Sequence, residues 1–204
     1  ALVNRLETDG YWRGRRLGWR EFSFKKRTMK LEKHNIVANK LDYARGKRPA
    51  VDCILCAVTA NDPKVDNLVV YRHRAWYVTL NLYPYNPGHL MVVPRTHHTD
   101  IRQLNEAEVL ELHHLQILCL RVLDVAYRPG GYNIGYNIGP TSGASIDHLH
   151  LQIVPRYRNE IGFFDLLSDS RVIVEEPQVT RERLLKTFAE ESAEYFRENA
   201  IGNQ

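Results

Sequence analysis

Cysteine, methionine and long apolar runs are scarce in this chain of 204 residues, which holds three cysteines and two methionines. An odd and small cysteine count excludes a disulfide-built secreted scaffold, which needs more of them in even number. No run of about 18 apolar residues is present, so no membrane span is expected. No apolar stretch near the start has the make-up of a secretory signal. Internal repeats and low-complexity tracts are absent as well. The body also lacks an excess of one charge. Residues 1–28 carry eight Lys or Arg against three acids, a local +5 out of a whole-chain +4, which leaves −1 on residues 29–204. A nucleic-acid-binding body usually shows its own basic face, so nucleic acid is not the expected partner.

What is present fits a globular, soluble chain. At 44% hydrophobic and 25% charged residues it can bury a core in one domain. The expected organisation is a basic leader over 1–28 and a single domain with a closing helix over 29–204. The leader interleaves Tyr11, Trp12 and Trp19 with arginines. It reads as an arm, a targeting sequence or an artificial extension, with Met29 as an alternative start. Cys119 lies in an apolar helical run and reads as core.

Periodicity predicts the elements. "NLVVYRHRAWYVTLN" reads as two β-rich runs joined at Arg72–Arg74, a hairpin, and "HLMVVPR" as a further strand. Residues 105–127 read as a helix. Asn105 and Glu108 form a capping-box pair, and Val109, Leu112, Leu115, Leu118, Val122 and Val125 recur at helical spacing. Pro129-Gly130-Gly131 ends it. "YNIGYNI" and "HLHLQIV" read as strands, and "SRVIVEE" as one more short one. From Thr180 a closing helix is expected, with Leu184, Leu185, Phe188 and Phe196 on one side. Short turns between strands favour an α+β fold, an antiparallel sheet with packed helices, over alternating βαβ units.

The stretch "NIGPTSGASIDHLHLQIVPR", residues 137–156, carries the most chemistry. In a strand His148, His150 and Gln152 share one face, while Leu149, Leu151 and Ile153 share the other and enter the core. The apolar half explains the strand but not the choice of His, His and Gln opposite. The preceding loop, with Gly139, Gly143, Ser142 and Ser145, offers backbone N–H groups that can converge on an anion. The same residues would also make an ordinary tight turn. An imidazole attacks phosphorus if one nitrogen is deprotonated and aimed while an acceptor holds the other. A main-chain carbonyl can do that for His150 in mid-strand. Gln152 can donate to a phosphate oxygen but cannot exchange a proton. Cys53 and Cys56, spaced C-x-x-C, read as half a metal site, a redox pair or a reduced core pair. A thioredoxin-type βαβ setting is missing.

These residues resemble the histidine triad (HIT) superfamily, whose motif alternates three histidines with apolar residues. Here it stands as His148-Leu-His150-Leu-Gln152-Ile-Val, with Gln in the third place, as in the transferase branch. "NLYPYNPGHLMVVPRTH" is similar to the first substrate-binding segment of the family. The resemblance implies a five-stranded antiparallel sheet. It implies that His150 attacks the α-phosphorus and that Gln152 bonds a non-bridging oxygen of the intermediate. Asn81 would lie by the ribose, and Asn137, Gly143 and Ser145 would hold the phosphates. It further implies a structural zinc on Cys53, Cys56, His97 and His148. His97 is preferred to His98 because it matches the family's distance to Ile101 and Leu104.

The resulting expectation is a cytoplasmic, homodimeric nucleotidyltransferase or phosphorylase acting on dinucleoside polyphosphates, diadenosine tetraphosphate and phosphate giving ADP and ATP. The alternatives are a hydrolase releasing AMP and a non-catalytic nucleotide- or RNA-binding module that uses the basic leader. His34, His73, His113 and His114 are expected to be surface or structural residues, and His89 to support the active strand.

Overall fold

A β-rich run followed by a capped helix builds the centre of the molecule. The computed structural model describes residues 49–158 and 175–199, all within the compact unit Lys33–Gln204. The leader 1–28, His34 and most of the expected strand at 170–176 lie outside the described residues.

The elements are helix α1 (Ile54–Thr59), strands β1 (Val69–Arg72), β2 (Trp76–Leu80) and β3 (Leu90–Pro94), a 3-10 turn (Ile101–Gln103), helix α2 (Glu106–Tyr127), strands β4 (Gly131–Gly135) and β5 (Leu151–Arg156), and helix α3 (Pro177–Glu198). The strands form one five-stranded antiparallel sheet in the order β1-β2-β3-β5-β4. The expected α+β fold is therefore the observed one. The β1–β2 hairpin closes with His73 N–H donating to Trp76 O at 2.9 Å.

Both faces of the central strands are covered, which is why β2 and β3 are buried along their whole length. Trp76, Val78, Leu80, Leu90, Val92, Leu151 and Ile153 enter the larger core with the buried side chains of α2 and α3. On the other face Tyr77, Met91 and Val93 pack with Val69 and with Leu55 and Val58 of α1. This second layer is thin, because α1 is only six residues long. The apolar cover of that face is therefore incomplete, and the incompletely covered part is where the cleft described below lies.

Helix α2 begins as its residues dictate. Glu108 N–H donates to Asn105 Oδ1 and Asn105 N–H to Glu108 Oε2, each at 3.0 Å. It ends at Arg128, whose φ of 49° is left-handed, so the chain turns one residue before Pro129. Cys119 is fully buried, as expected. Two expected core positions are not in the core, since Val109 is 50% and Val125 56% exposed. Each i+3 step falls about 60° short of a full turn at 3.6 residues per turn. The ends of a long i+3 run therefore swing off the buried face, and Cys119 and Leu123 take their place. In α3 the same correction applies to Leu185, which faces outward while Leu184, Phe188 and Tyr195 are buried. The helix starts at Pro177, whose fixed φ suits a first helical position. Among the described residues no helix is long and apolar enough to cross a membrane.

Candidate functional site

Register places the floor of a cleft. Thr79 pairs with Met91 and Met91 with Gln152, so the three side chains stand in one row on the thinly covered face of the sheet. Above this row lies a cleft of about 680 Å³, a volume typical of ligand sites. His150, Gln152, Asn81, Asn137, Gly143 and Ser145 all line it. Helix α1 and the contribution of Ile54, Leu55, Val58 and Lys64 to the walls were not expected, whereas Tyr83 and Tyr85 lie in the segment similar to the family's first substrate-binding stretch. Leu55 and Val58 at i, i+3 were the available signal for α1, too short to stand out beside the turn residues that follow.

The imidazole of His150 is nearly buried, and its Nδ1 lies 2.7 Å from the carbonyl oxygen of His148. A carbonyl only accepts, so Nδ1 carries a proton, and in the neutral ring Nε2 is the nitrogen that keeps a lone pair. The ladder of β5 begins at Leu151, three residues later than the H-x-H pattern implies. Before it, Leu149 N–H is taken by His98 O at 2.6 Å. Leu151 and Ile153 enter the main core, while Leu149 is buried outside it.

The loop wall is both a tight turn and part of the cleft. Gly139 and Gly143 have φ of 84° and 82°, which a side chain would strain. Ser142 Oγ donates to Gly139 O at 2.7 Å and accepts from Ala144 N–H at 3.4 Å. That hydroxyl is committed to the turn, whereas Gly143, Ala144, Ser145 and Ile146 face the cleft. Asn81 is held by its own backbone, since Oδ1 accepts from Tyr83 N–H at 2.9 Å and its N–H donates to His89 O at 3.1 Å.

A second cluster lies behind His150. The ligand atoms of Cys53, Cys56, His97 and His148 all lie within 4.8 Å of one another, a group that could hold a metal ion. His148 Nδ1 stands 3.3 Å from Cys53 Sγ and 3.5 Å from Cys56 Sγ, and His97 Nδ1 stands 3.3 Å from Cys56 Sγ. His148 Nε2 donates to Pro94 O at 3.0 Å, which leaves the Nδ1 lone pair aimed at the sulfurs. The neighbour His98 points elsewhere, to Glu108 Oε1 at 3.3 Å. His73 and His114 are also structural, bonded to Glu111 and to the Tyr195 hydroxyl at 2.8 Å each. His89 is buried and accepts from Tyr85 N–H.

Electrostatics suit a cation in the cluster. Burial pushes the Cys56 thiol up to about 11, and the adjacent Cys53 adds to this. A second thiolate is thus unfavourable unless a positive charge sits between the pair, which is what a bound metal supplies. Burial, reinforced by the nearby histidines, holds His148 down at about 4 against an ordinary 6.5. Its imidazole is therefore neutral near pH 7, the form that ligates. Between those two values the unfolded chain binds a proton at His148 that the folded chain does not. Its contribution to stability is complete above about pH 6.5 and declines as the pH falls toward 4. Urea denaturation of metal-stripped protein across that range should show the decline, with a flatter slope in His148→Asn.

Comparison with known proteins agrees with the geometry. Residues 62–159 match the HIT domain family model. An AP-4-A phosphorylase of Mycobacterium tuberculosis is 42% identical over 125 residues, 60% of this chain and 63% of that protein. A bis(5'-adenosyl)-triphosphatase of Saccharomyces cerevisiae is 34% identical over 107 residues, 52% of this chain and 51% of that protein. This chain thus spans between half and two thirds of the length of these curated relatives. The solved structure of a Zn-bound histidine triad family protein from Mycobacterium smegmatis matches with a TM-score of 0.58 at 22% identity, covering 70% of this chain and 96% of that one. At that identity the structural likeness speaks for the fold. His150 and Gln152 of the H-x-H-x-Q segment line the cleft within the stretch that matches, so residues 62–159, a little under half of the chain, are similar to the HIT domain.

Proposed function

We propose that this protein is a nucleotidyltransferase of the phosphorylase type, acting on dinucleoside polyphosphates through a covalent nucleotidyl-histidine at His150. The observation that carries this reading is the His150 ring, with Nδ1–H held by the His148 carbonyl and Nε2 available at the cleft. In the first step Nε2 bonds to the α-phosphorus of diadenosine tetraphosphate and the bond to the bridging oxygen breaks, releasing ATP. In the second step an oxygen of orthophosphate attacks the same phosphorus, the P–N bond breaks and ADP leaves. Gln152 donates to a non-bridging oxygen, where charge accumulates in both steps. Because Gln152 cannot take a proton from water, an anionic acceptor that is already a nucleophile is favoured. Asn81 binds the ribose, while Asn137, Gly143 and Ser145 surround the phosphates. The AP-4-A phosphorylase relative supports the substrate class and the acceptor.

The second reading is a hydrolase releasing AMP, favoured by the relative named bis(5'-adenosyl)-triphosphatase. Incubation with diadenosine tetraphosphate separates the two. ADP and ATP in equal amounts, formed only when orthophosphate is present and lost in His150→Ala, are the expected products. AMP formed regardless of phosphate would establish the hydrolase, and retained turnover in His150→Ala would remove both readings.

We further infer that the cluster behind His150 holds a structural zinc ion. Around a tetrahedral zinc, with bonds of about 2.3 Å to sulfur and about 2.0 Å to nitrogen, neighbouring donors stand roughly 3.3–3.8 Å apart. The S···N separations of 3.3, 3.3 and 3.5 Å fit. Four protein donors would close the coordination shell, so the ion would pin α1 to the chain beside His150 and take no part in the reaction. Reduced thiols of this kind favour a reducing compartment, the cytoplasm. Metal analysis should find about one zinc per chain by the four-ligand count, and Cys53→Ser should lower both zinc content and Tm.

A homodimer completes the proposal. Strand β4 is an edge of the sheet, with Asn133, Ile134 and Gly135 exposed. An open edge of this kind offers unpaired backbone groups to a second copy. Sedimentation velocity should give twice the chain mass, and a monomer at micromolar concentration would remove the dimer.

A further inference from the structure

We propose that Tyr85 is the stacking platform for the second nucleobase of the substrate, and thereby the residue that makes the cleft prefer two-nucleoside ligands over one-nucleoside ligands. The inference rests on the dinucleotide reading above and adds to it a subsite for the leaving half.

The cleft has two kinds of wall. Ile54, Leu55 and Val58 of α1, with Val65 and Leu68, form an aliphatic wall, and α1 itself sits over Tyr77 and Val93. Beyond Thr79 and Leu80 the chain leaves β2, and residues 81–85 form an aromatic wall with Tyr83 and Tyr85. An aliphatic slot can hold one base by burial. A substrate with two bases joined by a phosphate chain needs a second surface nearer to solvent, and a half-exposed aromatic ring provides a π-face for any base.

Tyr85 is 51% exposed. A lone exposed aromatic is ordinary; the support beneath this one is not. Its ring stacks on His89 with centroids 5.3 Å apart and planes 18° apart, and His89 is almost fully buried. Tyr85 N–H donates to Nδ1 of the same imidazole at 3.2 Å. The next three residues are also anchored. Buried Asn86 donates through Nδ2 to Pro155 O at 2.6 Å, and the Tyr157 hydroxyl donates to Pro87 O at 2.9 Å. Gly88, at φ 78°, lies so close to Leu123 and Tyr127 that a Cβ would stand 3.1–3.2 Å from them. A ring held this way loses little freedom when a base settles on it, so most of the stacking energy appears as affinity.

Calorimetry on the full chain tests the platform with two probes. One is AMP; the other is a diadenosine tetraphosphate analogue with methylene groups replacing the bridging oxygens. Tyr85→Ala should weaken the analogue on the order of ten-fold while AMP stays within about two-fold, since one base–aromatic stack is lost. Tyr85→Trp should restore the analogue. Equal weakening of both probes, no change in either, or failure of Tyr85→Trp to restore binding in a folded protein would each overturn the platform. Turnover is read separately. A preserved affinity difference without turnover of diadenosine tetraphosphate would remove the phosphorylase reading and keep the platform. Turnover without the difference would do the reverse.

Discussion

The main-chain carbonyl of His148 is the group on which the candidate site depends. It accepts from His150 Nδ1 at 2.7 Å and so decides which nitrogen of that ring keeps its lone pair. The carbonyl can only do this if its own residue is immobile. The side chain of His148 secures that by bonding Pro94 O through Nε2 and facing two sulfurs through Nδ1. One residue therefore joins the end of β3, the cysteine pair and the His150 ring. Loss of any of these contacts would be felt at Nε2 of His150 as a change of angle or of tautomer.

The sheet imposes the second constraint. Its central strands must be covered on both faces, and the two covers are unequal. Two helices of 22 residues fill one side, while a six-residue helix and a loop fill the other. The thick side supplies the burial that holds the sheet together. The thin side leaves the row Thr79, Met91, Gln152 accessible to a ligand. Stability and function thus occupy opposite faces, and alternation along β5 puts Leu151 and Ile153 on one and Gln152 on the other.

The loops that border the cleft are tied in place. Asn86, Tyr157 and Gly88 fasten the segment after β2, and Ser142 fastens the turn before His148. Rigid walls around an open cleft hold polar groups in place before a ligand arrives, so less freedom is lost on binding.

Much of this was legible in the chain because the signals are local. The capping box of α2, the period-two pattern of Leu151, Gln152 and Ile153 and the hairpin at Arg72–Arg74 each depend on residues a few positions apart. Local backbone geometry alone dictates such outcomes. The C-x-x-C pair was visible as half a site, and only the family resemblance named its other half. The exposure of Val109, Val125 and Leu185 was not legible, since their hydrophobicity matches that of their buried neighbours and only the angle at which a helix meets its partners separates them. What the tertiary structure decided was every relation across long separations. It brought Cys53 within 3.3 Å of His148 across 95 residues, set α1 over β2 and β3, and turned His97 rather than His98 toward the sulfurs. The reason is physical: residue identity sets what a side chain can bond, but sheet order and packing angle set which partner comes within reach.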